Sequence, residues 1–492
     1  MSNRRQPPVY LSLARKAPMS SIDVSPRPRL TFAAVAVGFA AVASLQSLLI
    51  PVLSVIGTDL GADTIGMTWI LTVWLITAAV ATPLLGRAGD LIGRRRMFLL
   101  ALASVAAGSI LAAFAPTLGV MLIARVLQGL GGAVFPLGFG VVRDAFPSAR
   151  VPSVIGALSA IMAVGSGLGT VIAGPLSQLI GWRGLFALPL VLTVATLAIT
   201  VRGMNETSTQ PGVRLNGVAA VLLSSWLVAL LLPLSAGSLW GWGSPLTIGL
   251  LVLAAILAAS WVMVELRSKS PLVDMRMMRI PAVWSTNVTA LLTGAAMFGI
   301  WAFLPRLAET PVASGFGIGA SVSLAGLIML PMLVTMASVG FVAGPLSRVL
   351  PFAAQLSIGA LLSAAASVSI ALFHDNGVQL AIAAAALGLG TGLVTSSTPN
   401  LIVRSVPASQ TGIATGMNAN IRTIGGALGT TVFSAVVASS VGLTTAPTEG
   451  GYVAAFIVGA ALAAGGALVP LLARPRSRRP VTQIVEPELA TA

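Results

Sequence analysis

Three clusters of residues in this chain have types and spacings suited to chemistry. The first is Arg125, Gln128, Gly129, Gly132 and Pro136, which recur at intervals of three and four and would share one stripe of a helix. A cation, an amide and a smooth glycine surface suit recognition of an anionic group, or the charge change of a proton-coupled step. The alternative is a structural arginine that snorkels or bonds to neighbouring carbonyls. The second cluster is Asn418, Arg422, Gly425 and Gly429, again on one helical face. There Arg422 is either a further polar group on a path or a locally satisfied residue beside glycines that serve close helix contact. The third is the segment from Gly86 to Arg96, in which Asp90 is the lone acid among Arg87, Arg94, Arg95 and Arg96. Gly86 and Gly93 permit a tight turn, and Asp90 can bond an arginine or sit at a helix N-terminus whose dipole favours an anion. Such a contact would latch one conformation.

Enzymatic chemistry has little to work with. The chain has no cysteine, which excludes disulfides, iron–sulfur clusters and thiolate zinc sites, and its single histidine, His374, supports neither a metal centre nor a catalytic triad. Paired carboxylates and a nucleophile beside a base are also missing. No enzyme, cofactor or metal is therefore expected.

The elements that must position these residues are membrane helices. Of 492 residues 56% are hydrophobic and 8% charged, with mean hydropathy +0.96, more apolar surface than a soluble protein of this size can hide. Apolar runs lie at about 31–56, 67–86, 97–116, 118–142, 154–178, 184–201, 217–236, 246–266, 282–305, 320–345, 353–373, 378–402, 411–437 and 451–473, each near the length a bilayer core requires. They are numbered spans 1 to 14, and the fold expected is an all-α polytopic membrane protein. An even number places both tails on one side. Arg183 and Arg306 fall in loops on the opposite side and Arg125 and Arg422 lie inside spans, so the other 24 of the 28 basic residues share the side of the tails. That asymmetry predicts cytoplasmic termini in a cytoplasmic (inner) membrane, and it reads the net charge of +15 as topology and not as affinity for nucleic acid. Residues 1–30 and 474–492 are polar and proline-containing and read as disordered cytoplasmic tails, the first of them retained.

Landmarks recur along the chain. Gly86 and Gly344 are 258 apart, Pro147 and Pro407 260 apart, and Gly156 and Gly412 256 apart. The offset equals eight spans, which predicts six helices at 31–201, two inserted helices and their loops at 202–281, and six more at 282–473. Span 5 carries Gly165, Gly169, Gly174 and Pro175, a pattern for a bent helix that moves against, or simply packs closely on, its neighbour.

At these residues the chain resembles the major facilitator superfamily, and its 6+2+6 plan resembles the fourteen-span drug–proton antiporters. Gly86, Asp90, Gly93, Arg94 and Arg95 match the superfamily signature G-x-x-x-D-R-x-G-R-R, with Leu91 where the family usually has arginine. The run from Leu122 to Gly132 resembles the span 4 signature, whose arginine the family implicates in proton transfer. Gly165 to Pro175 is similar to the antiporter signature of span 5, with its Gly-Pro step displaced. Trp182-Arg183 and the Asn-Ile-Arg422-x-x-Gly-Gly segment also look like the fourteen-span family. The resemblance implies alternating access by two six-helix bodies around a midplane cavity lined by spans 1, 4, 9 and 12. Gln46, Arg125, Asn287 and Thr391 would line it, with Trp69, Trp74 or Trp301 as aromatic contacts. Export of hydrophobic small molecules would draw on the proton gradient, and the expected partners are the lipid bilayer, the small-molecule substrate and the proton, with the chain a monomer.

One departure bears on the substrate. The family commonly has an acid in span 1, where this chain has Gln46 and no carboxylate. All thirteen acids fall in tails, loops or, for Glu265, at the end of span 8. Neutral or anionic substrates therefore fit better than permanent cations. Coupling would use Asp144, Asp90, Asp59, Asp63 or Glu309 near the faces, or the substrate's own proton. Arg306 and Glu309, three apart, would pair at the surface. The competing readings are an uncoupled facilitator, an importer of one metabolite, or a receptor that keeps the fold without turnover.

Overall fold

The computed structural model describes residues 27–206, 216–268, 271–440 and 447–472. The tail expected over residues 1–30 ends earlier, because the first helix starts at Pro28, where proline suits the first turn; residues 1–26 and the tail expected over 474–492 lie outside the described residues. Every regular element among the described residues is helical. Thirteen helices are long and apolar enough to cross a membrane, and Leu176–Gly184 with Ala187–Gly203, bent by 67°, brings the number to fourteen if the pair is one span. In chain order the spans are Pro28–Leu48, Thr64–Ile92, Arg94–Ala113, the broken Leu118–Gly129 and Val134–Ala145, Val151–Gly184, Ala187–Gly203, Gly217–Trp240, Pro245–Arg267, Pro281–Glu309, Val322–Leu346, Phe352–Leu372, Gly377–Ser405, Thr411–Ser439 and Glu449–Leu472.

Local chemistry explains where helices start and break. Asp63, Thr117, Asn216, Ser244, Ser321 and Asn376 cap helices with their side chains. Span 4 tightens to a 3₁₀ turn at Leu130–Ala133. Pro136 has no N–H to return to the Gly132 carbonyl, and Gly131 and Gly132 tolerate the tighter winding.

Two apolar cores correspond to the two ends of the chain. Phe39, Phe98, Val134, Leu137 and Phe186 join spans 1, 3, 4 and 6, while Leu304, Leu380, Phe433 and Phe456 join spans 9, 12, 13 and 14. A third core, including Ala79, Leu227, Trp261 and Ile413, ties the inserted spans 7 and 8 to spans 2 and 13. Between the two six-helix bodies, small residues let backbones touch. A methyl group on Gly86 of span 2 would stand 2.9 Å from the Gly412 carbonyl oxygen of span 13, and Gly156 of span 5 faces the Gly340 carbonyl of span 10. Gly86 with Gly412 and Gly344 with Gly156 are therefore the two crossings, built from the residues that recur in the sequence.

The segment from Gly86 to Arg96 is not the tight turn its glycines suggest. Span 2 stays helical to Ile92 and the chain turns at Gly93 alone, with φ +117°, before span 3 begins at Arg94. Gly86 instead serves the close approach to Gly412, and a side chain on Gly93 would meet Glu206.

Candidate functional site

At the face carrying both helical ends of the chain, Asp90 is 5% exposed and joins the two bodies. One carboxylate oxygen accepts from Arg94 Nε at 3.0 Å and Nη2 at 2.7 Å, and the other from the Gly412 and Ile413 amides at 3.1 and 3.3 Å. Those amides are the open N-terminal donors of span 13, so Asp90 caps from across the interface a helix that Gln410 leaves without a side-chain cap. Arg94 also donates to Asp144, to the Gly140 carbonyl at 3.0 Å and to the Ala408 carbonyl. Arg143 donates to Val406 O at 2.8 Å and Thr411 Oγ1 at 2.5 Å, and Arg87 spans Ser409 O and Pro271 O, each at 3.4 Å. Arg95, by contrast, reaches Val201 O within its own body. Sequence reasoning singled out Asp90, Arg94 and Arg95 and passed over Arg143, whose signal was the repeated Val-Arg of Val142-Arg143 and Val403-Arg404.

The interior polar residues separate into two places. Arg125, 1% exposed, donates from Nε to Ile70 O at 3.0 Å and from Nη1 to Gln128 Oε1 at 2.7 Å, and lies 5.6 Å over the Trp74 ring. Gln128 reaches Ser109 at 3.5 Å, and Gly129 and Gly132 face Thr77 and Ala78. Arg125, Gln128, Gly129 and Gly132 thus face spans 2 and 3 inside the first body, not the gap between bodies. In the second body Asn418 donates to Asn287 Oδ1 at 2.8 Å, which brings two residues singled out from the sequence together. Arg422, four residues on, is half-buried and has no hydrogen-bonded or ion-paired partner among the described residues. Thr391 bonds back to its own helix through Leu387 O, and Gln46 is half-buried on span 1. Asn420, which the sequence reading missed, crosses to Ala79 O at 2.5 Å.

Span 5 turns Gly165 and Gly169 against Ala40 and Ser44 of span 1, within its own body, while Gly174 meets open space. Pro175 falls in this helix and its side chain lies outside the described residues. At the opposite face Asp59 accepts from Arg183 and from Trp182 Nε1 at 3.1 Å, and the guanidinium holds its carboxyl below the ordinary carboxylate range. Arg306 does not pair with Glu309. It stacks over Phe303 at 4.9 Å, while Glu309 is exposed. Both line an open depression of about 490 Å³ with Thr310 and Tyr452. His374 is occupied by Ile370 O and Glu449, and among the described residues no group of acids and histidines is arranged to hold a metal.

The comparisons with known proteins match this architecture. The model of the Major Facilitator Superfamily matches residues 35–430 and 288–490. The chain belongs to the major facilitator superfamily. It is 30% identical over 426 residues to the tetracenomycin C resistance and export protein of Streptomyces glaucescens, covering 85% of this chain and 77% of that one. It is 27% identical to the multidrug transporter protein MdtP of Bacillus subtilis, covering 77% and 70%. Among solved structures it shares the fold of the human organic anion transporter MFSD10, with TM-score 0.66 at 17% identity and 90% and 100% coverage. The proton:xylose symporter XylE gives 0.63 at 12%, covering 90% and 94%. This superfamily member is a multi-pass membrane transporter and not an enzyme.

Proposed function

We propose that the chain is a secondary active exporter of hydrophobic small molecules, neutral or anionic, driven by proton antiport from the cytoplasmic membrane with both termini in the cytoplasm. The observation that carries this reading is the bonded latch between the bodies at the basic face. Asp90, Arg94, Arg143 and Arg87 hold them together there. A molecule fastened at one face is one state of an alternating-access cycle. The basic side being cytoplasmic, this state is closed inward, and releasing the latch would open it inward. Protonation of Asp90 would remove the negative charge that holds the Gly412 and Ile413 amides and Arg94, which supplies a physical link between a proton and the latch. Export and resistance follow the name of the Streptomyces relative, and multidrug transport that of the Bacillus relative.

The test is transport of the neutral dye Nile red into everted vesicles, with and without an imposed pH gradient. A gradient-dependent initial rate that vanishes with Asp90→Asn supports antiport. An unchanged rate replaces it with an uncoupled facilitator.

A further inference from the structure

Arg422 is the one interior cation whose charge no group in the described structure answers. With about 100° per residue, Asn418, Gly425 and Gly429 form the edge of span 13 against span 9, where they meet Asn287, Leu291 and Ala295. Gly416 and Asn420 form the edge against span 2, where they meet Thr82 and Ala79. Arg422 falls in the sector between these edges with the half-exposed Ala419 and Thr423, while Leu428 and Val432 point the other way. Because span 2 belongs to one body and span 9 to the other, that sector opens into the gap between bodies.

The surroundings of Arg422 define a ligand. Gly294 sits against its carbonyl oxygen and Cγ, at 2.5 and 3.0 Å from an added methyl group, which leaves the guanidinium beyond the helix contact. One turn along, the Phe298 ring covers Gly426, at 2.6 Å from an added methyl group, and is 5.8 Å from the Trp301 ring. Trp301 Nε1 is buried and has no hydrogen-bond partner among the described residues. A planar guanidinium binds a carboxylate through two parallel bonds, and an aromatic pair beside it favours a flat apolar body.

We propose that Arg422 is the anchor for the carboxylate of an aromatic organic anion on the path between the two bodies, with the Phe298–Trp301 pair packed against its rings. The proposal rests on the exporter reading and narrows it to a substrate class. It is tested by binding of 9-anthracenecarboxylate and of its neutral amide to the purified full chain, followed by fluorescence. The wild type should bind the carboxylate about tenfold more tightly than the amide, the range of one charge-assisted bond. Arg422→Met should bind the two equally with amide affinity retained, and Arg422→Lys should keep most of the preference. Equal binding by the wild type, or a preference that survives in Arg422→Met, overturns the proposal. Gradient-driven Nile red transport, measured on the same preparations, reports separately whether the exporter reading stands.

Discussion

At the scale of single residues, the placement of Asp90 makes it a switch. Its carboxylate holds two amides of span 13 and Arg94, and charged hydrogen bonds of this kind contribute about 1.5–3 kcal/mol each. Asp90→Asn should therefore shift the population toward the state open at the basic face. The chain has no cysteine, so Ala419→Cys provides a single thiol in the gap. It should react from the outer side in the wild-type background and from the basic side with Asp90→Asn, and unchanged sidedness would remove the latch. Arg125→Ala strands Gln128 Oε1 in the interior, at a cost of about 1–3 kcal/mol. Transport should be lost while the chain still inserts, with a lowered melting temperature; full activity would reduce Arg125 to packing. Asp59 works in the opposite pH sense to a histidine switch. Its carboxyl is held low in the folded state by Arg183, so its contribution is present above the ordinary carboxylate range and fades as pH falls through the folded value. The exposed pair makes this a small effect, seen as a slight loss of acid sensitivity in Asp59→Asn during thermal unfolding.

At the scale of helices, glycines divide by what they touch. Gly425 and Gly429 of span 13 lie on the Leu291 and Ala295 carbonyls, so even alanine forces spans 9 and 13 apart, whereas Gly174 of span 5 has open space around it. Gly425→Ala should destabilise by about 1–3 kcal/mol through overpacking. Gly174→Ala should be neutral or stabilising by about 0.5–1 kcal/mol, since helical glycine gives up more backbone freedom. Melting of the two variants in detergent separates these outcomes. The inserted helices also reach the latch. Glu265 of span 8 accepts from Trp261, Leu272 and Val273, which shapes the chain that offers Pro271 O to Arg87. Its position at the end of span 8 was plain in the sequence, but its backbone partners follow it by seven and eight residues, through a turn that no hydropathy pattern reports.

For the whole molecule, the expected motion is one body against the other about the crossings of spans 2 with 13 and 5 with 10. Bridging Arg87→Cys to Ser409→Cys with a short bismaleimide should stop transport, because both positions lie on the fastened face. Continued transport by the bridged protein would exclude rocking of the bodies. The sequence alone determined that the chain crosses a bilayer about fourteen times, since a backbone in hydrocarbon must close its own hydrogen bonds over a fixed thickness. It also determined that Gly86, Asp90, Gly156, Gly344 and Gly412 matter, through their spacing. Which way each helix faces was decided only by packing. Arg125 and Arg422 occupy similar stripes of amide, cation and glycine, yet one is enclosed by spans 2 and 3 and the other opens on the gap between bodies. A helical stripe specifies which residues share a side, and only the neighbouring helices decide what that side meets.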